Sequence, residues 1–451
     1  MRLRIWFAAG GRVSTRRTAE GHRAQSRQAD FVISTLLASP WSTWGIAGLV
    51  AAGVIARPFS WPEFIWAAGG AAFLVLLGLL SPGEAWAGVA KGGNVYLFLT
   101  GMMLLSELAR QEGLFDWLAA RAAVLANGSA TRLFSLVFAV GTVVTVFLSN
   151  DATAVVLTPA VAAVVRAAKA REKLPYLLIC AFIANAASFV LPISNPANLV
   201  IYGSHMPPLL QWLPRFALPS VLSVLATYAV LRWTQRDGLR QHVSADIVVP
   251  RLSGAGKLAA IGIAATAVVL LVSSGLDLQL GLPTFLAGAA TALLVLTRSR
   301  SGAAVVKNIS WSVLPLVAGL FVLVEALEKT GVTKLLAELL RDLVQHQAAL
   351  AGWAAGLVLA VGCNLVNNLP AGLVAGRVVE LAQVPEQMRS AVLIGIDLGP
   401  NLSVTGSLAT ILWLQALRRE GESVSAWTFL KLGALVMPPA LILAIASAFA
   451  F

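Results

Sequence analysis

The sequence predicts an all-α integral membrane protein of two inverted repeats, each with five transmembrane helices, one re-entrant hairpin and one broken helix. Three observations carry this. The 451 residues are 58% hydrophobic and only 12% charged, with mean hydropathy +0.80, which leaves too little polar surface for a water-soluble globule. Uncharged apolar runs, several long enough to cross a bilayer, recur along the whole chain. The order of parts before residue 233 also recurs after residue 256. Helices follow from lipid as the solvent, because a helix satisfies its own backbone hydrogen bonds in hydrocarbon. A barrel would show short alternating segments instead.

The elements fall in order. Residues 1–42 form a basic tail with seven arginines and no apolar core before Phe31, unlike a cleavable signal peptide. The first transmembrane repeat is 43–232, the polar linker 233–256 and the second repeat 257–451. Each half opens with two spans, 43–57 and 62–80 or 257–276 and 279–297, followed by a third at 92–109 or 308–327. An amphipathic segment comes next, 113–126 or 331–344, and reads as an interfacial helix. Residues 133–165 and 343–376 are then awkward lengths: about 50 Å each as helix, too long for one span and too short for two. A re-entrant hairpin fits each, with its tip at the polar centre, SNDAT at 149–153 and NLVNNLPAG at 364–372. The apolar stretches that follow are interrupted by Pro192 and Pro196, or by Gly399, Pro400 and Gly406, and read as broken helices. Paired breaks in matching positions of two halves point to a transporter binding site at the bilayer midplane.

A hairpin makes no net crossing, so five crossings per half invert the second half relative to the first. The alternation gathers most Lys and Arg outside the tail on one face, Arg166, Lys169, Arg171, Lys173, Arg232, Arg236, Arg298, Arg300, Arg418 and Arg419 among them. By the positive-inside rule that face, with the linker, is cytoplasmic and the C-terminus faces outward.

Net charge +12 therefore reads as topology, not as nucleic-acid binding. Cys180 and Cys363 lie in apolar segments, and His22, His205, His242 and His346 show no ligand spacing, so no metal site or cofactor is called for. No phosphate-cradling GxxxxGK[ST] motif occurs.

The first tip supplies Asn150, Asp151 and Thr153, and the second Asn367 and Asn368. An acid near the bilayer centre is costly enough to suggest function. Asp151 also suits helix capping, and neutral amides suit plain helix–helix bonding. The breaks supply Ser194, Asn195 and Asn198 from one half and Asp397, Asn401, Ser403, Thr405, Ser407 and Thr410 from the other. Aligning the repeats sets Asp151 opposite Asn368 and Asp397 opposite Asn185, so two acids share the site with no basic partner. Asp397 is the first candidate to carry a proton, Asp151 the second. Cys363, near the second tip, reads as a small buried hydrophobe, since one thiol cannot complete a soft-metal site. Glu107 and Glu325 match each other in the repeat as helix-end acids.

FLSNDATAVVLTP at 147–159, CNLVNNLPAG at 363–372 and above all IGIDLGPNLSVTGSLATILWL at 394–414 closely resemble the ArsB-type arsenite permeases of the ion transporter superfamily. The likeness runs from about residue 43 to 451. It implies proton-coupled efflux of arsenite and antimonite from the bacterial inner membrane by an elevator-like motion, with a soluble ATPase as partner where one exists. Arsenite is mainly an uncharged trihydroxide at neutral pH, which Asn, Ser and Thr groups match. No Lys or Arg lies between Lys173 and Arg215 or between Arg389 and Arg418, which argues against a dicarboxylate or other anion carrier. A sodium/proton antiporter is the alternative, with Asp151 and Asp397 as cation ligands.

Overall fold

The computed structural model describes residues 40–203, 206–298 and 302–450. Most of the basic tail, with His22, His205 and Arg300, lies outside the described residues. Every regular element described is a helix. Ala130–Phe147, Leu209–Thr234, Gly254–Gly275, Val332–Val366 and Ala426–Ala448 are long and apolar enough to cross a membrane. Gly254–Gly275 is apolar on all sides and exposes Ile261, Val268, Leu271 and Val272, as a helix wetted by lipid does. Serines start several helices by accepting a backbone N–H: Ser129 from Arg132, Ser253 from Gly256 and Ser425 from Thr428.

The halves pack crosswise. The third span of the first half, Gly93–Gln111, lies on the second span of the other half, Gly281–Leu296, and Glu63–Leu76 lies in turn on Val313–Lys329. Leu209–Thr234 pairs with Ala426–Ala448. Gly101 and Gly288 let the first of these crossings close to backbone contact, since a Cβ on Gly288 would collide with Gly101 itself.

Both awkward lengths fold as helical hairpins. In the first, Ala130–Phe147 runs in, the chain breaks at 148–149, and a π-helical turn, Ala152–Leu157, leads into Thr158–Ala167. Thr145 and Thr153 bond across the two arms at 2.8 Å. The open end returns to the linker, where the Gly128 and Ala168 carbonyl oxygens accept from Val243 and Ser244 N–H at 3.2 and 2.7 Å. In the second, a kink at Gln347 separates the amphipathic segment from the inward arm, and Asn368–Ala382 forms the outward arm. Its open end packs Ala351 with Ala382 under Ala337 of the amphipathic segment. The first amphipathic segment, Leu114–Ala126, buries Phe115, Ala119 and Ala123 against the first hairpin.

The broken helices are Leu174–Ala186 with Pro196–Tyr202, and Glu386–Leu398 with Leu408–Arg419. Glycine fixes how closely the second hairpin meets the second break. A Cβ on Gly399 would strike the Ala360 carbonyl oxygen and the Cys363 sulfur.

Candidate functional site

Each break frees backbone groups that polar side chains then satisfy. The Asn195 Oδ1 accepts from Ala197 N–H at 3.0 Å and caps Pro196–Tyr202, and Ser407 accepts from Thr410 N–H at 3.1 Å and caps Leu408–Arg419. Asn198 donates to the Ser188 carbonyl oxygen at 2.9 Å. Ser194 donates to the Val146 carbonyl oxygen at 3.0 Å, tying the first break to the first hairpin. On the second hairpin, the Asn368 N–H donates to the Gly406 carbonyl oxygen at 2.8 Å, while Ser403 and Thr405 bond Asn364 at 2.7 and 2.9 Å. The two breaks bond each other directly. Asn185 donates to Asn401 Oδ1 at 3.0 Å and to Thr410 Oγ1 at 3.3 Å, and Asn401 donates to the Phe182 carbonyl oxygen at 3.1 Å.

All four interruptions meet at one small cavity of about 30 Å³, lined on its polar side by Asn150, Asp151, Asn195, Asn368 and Ser407. Leu99, Val313, Leu316 and Val317, from spans Gly93–Gln111 and Val313–Lys329, close its apolar side. That volume holds about two waters. The Asp151 carboxylate and the Asn368 amide make no hydrogen bond or ion pair with another described residue, so both are free toward a guest. Asp151 also borders a larger vestibule of about 510 Å³, reached past Glu107, Arg110 and Arg419. Its mouth lies toward the linker, where Ser253 bonds Glu112 at 3.1 Å and Arg166 pairs with Glu420 at 2.5 Å.

Asp397 lies behind the cavity, fully buried, and accepts from the Asn195 Nδ2 at 2.8 Å on Oδ1. Its Oδ2 has no partner. Thr153, Ser194, Asn198, Asn367, Ser403 and Thr405 surround the cavity without lining it: they hold the tips and breaks in shape. Sequence reasoning did not single out Asn364 or Ser188, which organise the second tip and the first break. A signal for Asn364 was present, since it stands one turn before Asn367 on the inward arm. Glu107 and Glu325 are ion-paired, with Arg110 and Lys91, each at 2.5 Å. Cys363 is buried, with its sulfur on the Ala360 carbonyl oxygen.

Among the described residues no three His, Cys, Asp or Glu side chains group as metal ligands. The site can bind a small solute through amides, hydroxyls and one carboxylate.

Comparison with known proteins agrees with a transporter. The chain is 25% identical over 403 residues to the arsenical pump membrane protein of Escherichia coli (strain K12), covering 84% of this chain and 91% of that one. It is 25% identical over 366 residues to the arsenical pump membrane protein of Yersinia enterocolitica, covering 78% and 85%. The fold is similar to that of the Alcanivorax borkumensis YdaH transporter, with TM-score 0.54 at 16% identity over 81% of this chain and 86% of that one. The chain is a multi-pass transporter of the bacterial inner membrane and not an enzyme. The family profile described as CitMHS, citrate transporter, matches residues 51–396, and the chain belongs to that family.

Proposed function

We propose that the chain exports arsenite, and antimonite with it, in exchange for protons. The observation that carries this is the polar lining of the cavity, three amides, a hydroxyl and one carboxylate with no Lys or Arg. An uncharged trihydroxide offers both O–H donors and oxygen acceptors and suits such a lining, whereas a di- or tricarboxylate needs a cation or an anion nest. The relatives named arsenical pump membrane protein support the same reading.

The halves act as inverted repeats, which the crosswise packing and the opposite settings of the two hairpin ends support. The hairpins and broken helices move as one body against the crossed spans, elevator-fashion. The vestibule on the linker side, which Asp151 borders, supports a state open to the cytoplasm. Asp397 carries the exchanged proton.

The family description favours a carboxylate carrier as the second reading. Growth of a bacterial strain stripped of its own arsenic pumps separates the readings. Expression of this chain is expected to restore growth on arsenite while leaving tolerance of high sodium and use of citrate unchanged. Citrate-dependent growth without arsenite resistance would overturn the proposal.

A further inference from the structure

Among the described residues, Asn195 is the cavity-lining side chain that hydrogen-bonds the buried acid behind it. It lines the cavity beside Asn150, Asp151, Asn368 and Ser407, and its Nδ2 donates to Asp397 Oδ1 at 2.8 Å. Its Oδ1 is fixed by the Ala197 N–H at 3.0 Å, so the amide cannot turn without uncapping Pro196–Tyr202. Asp397 itself does not border the cavity.

The hydrogen-bond inventory around Asp397 is incomplete in an informative way. Ser188, whose hydroxyl is within 2.8 Å of the Asn185 carbonyl oxygen, lies against the same carboxyl. Asp397 Oδ2 stands without a partner in a fully buried place. Buried acceptors seldom stay empty.

Among the described residues no charged group pairs with the acid. On the packed elements the Cys363 thiol, beside Gly399, is the titratable group that faces it, and Asp151 stands across the cavity. Arg215 pairs with Glu386 and Arg377 with Glu328, while Arg389 stacks over Tyr202, all toward the face away from the linker.

We infer that Asn195 is the positioning residue that couples the two ligands, reading the proton on Asp397 and passing its state to the solute in the cavity. With Asp397 ionised, a charge-assisted bond to Nδ2 polarises the amide and makes Oδ1 a stronger acceptor for a solute O–H. With Asp397 protonated, that bond weakens and the solute loses part of its hold. The two ligands therefore oppose each other through one amide, as exchange requires. This rests on the proposed proton coupling.

The test measures half-saturation for arsenite in proteoliposomes at pH 6 and pH 8, in sodium-free buffer, for the whole chain. Wild type is expected to bind several-fold more weakly at pH 6, and Asp397→Asn to be weak at both. Asn195→Ser keeps the helix cap and is too short to reach Asp397, and it is expected to lose the pH ratio. Asn368→Ala, in the cavity without contact to Asp397, is expected to bind weakly but keep the ratio. If Asn195→Ser keeps the wild-type ratio while Asp397→Asn loses it, the coupling role of Asn195 is overturned and the proton reading stands. If Asp397→Asn keeps the ratio, the proton reading falls and the role of Asn195 with it.

Discussion

Asn367 and Asn368 stand side by side at the second tip, yet opposite outcomes are expected when each is changed. Asn367 has φ 74° and ψ 151°, a region that is essentially restricted to glycine and costs about 1–3 kcal/mol for other residues. Its side chain caps the outward arm by accepting from Leu369 N–H at 3.4 Å and donates to the Thr405 carbonyl oxygen, also at 3.4 Å. Asn367→Ala keeps the strain and loses the cap, a destabilisation of about 1 kcal/mol. Asn367→Gly loses a few tenths with the cap and relieves the strain, for a net gain of about 1 kcal/mol. Asn368 has normal helical backbone, and its amide meets only the cavity. Asn368→Ala should leave stability within about 0.5 kcal/mol. It removes up to two hydrogen bonds to the solute, worth about 2 kcal/mol together, or roughly 30-fold in affinity. Thermal melting in detergent reads the first pair of effects, and arsenite titration of the purified protein reads the last. Wild-type affinity in Asn368→Ala, or a melting temperature lower in Asn367→Gly than in Asn367→Ala, would refute the reasoning.

Three further outcomes are expected. Asn185→Ala leaves Asn401 Oδ1 without its donor in a buried place and should cost about 2 kcal/mol, read as a lower melting temperature; an unchanged melt would show that the breaks are held otherwise. Arg377 on the outward arm bonds Glu328 of Val313–Lys329 through Nε at 2.9 Å and again through Nη2, so Arg377→Glu should slow arsenite transport and added Glu328→Arg should restore part of it. Equal rates in single and double variants would deny that this pair joins the moving body to the crossed spans. Ser244 lies in the linker, so Ser244→Cys should resist an impermeant thiol reagent in intact cells and react in everted vesicles, with Cys180 and Cys363 buried and silent. Labelling in intact cells would reverse the topology.

The fold was legible because its physical signals are long-range and redundant. A 33-residue run with one central acid can hardly be anything but a hairpin in lipid, and Pro192, Pro196 and Pro400, each among polar or glycine neighbours, mark breaks, whereas Pro214, Pro219, Pro438 and Pro439 in apolar runs stay inside helices. The separation between residues that line the cavity and residues that shape it was not legible. Asn367 and Asn368 look alike in the sequence, and a backbone torsion decides between them. Ser403 and Thr405 likewise suit a polar solute as well as they suit Asn364, whose place beside them depends on how closely Gly399 and Gly406 let the hairpin approach. Asp397 and Asn195 are 202 positions apart, and only the fold brings them to 2.8 Å. Asn185, which repeat alignment sets in the position equivalent to Asp397, bonds Asn401 and Thr410, partners that the alignment alone does not name.

The central claim is proton-driven export of an uncharged oxygen-rich solute through the Asn150, Asn195 and Asn368 cavity. Arsenite uptake into everted membrane vesicles tests it most directly. Accumulation is expected when the vesicle interior is acid, to collapse on adding a protonophore, and to be indifferent to excess citrate. Uptake that is unchanged without the proton gradient, or that citrate abolishes, would contradict it.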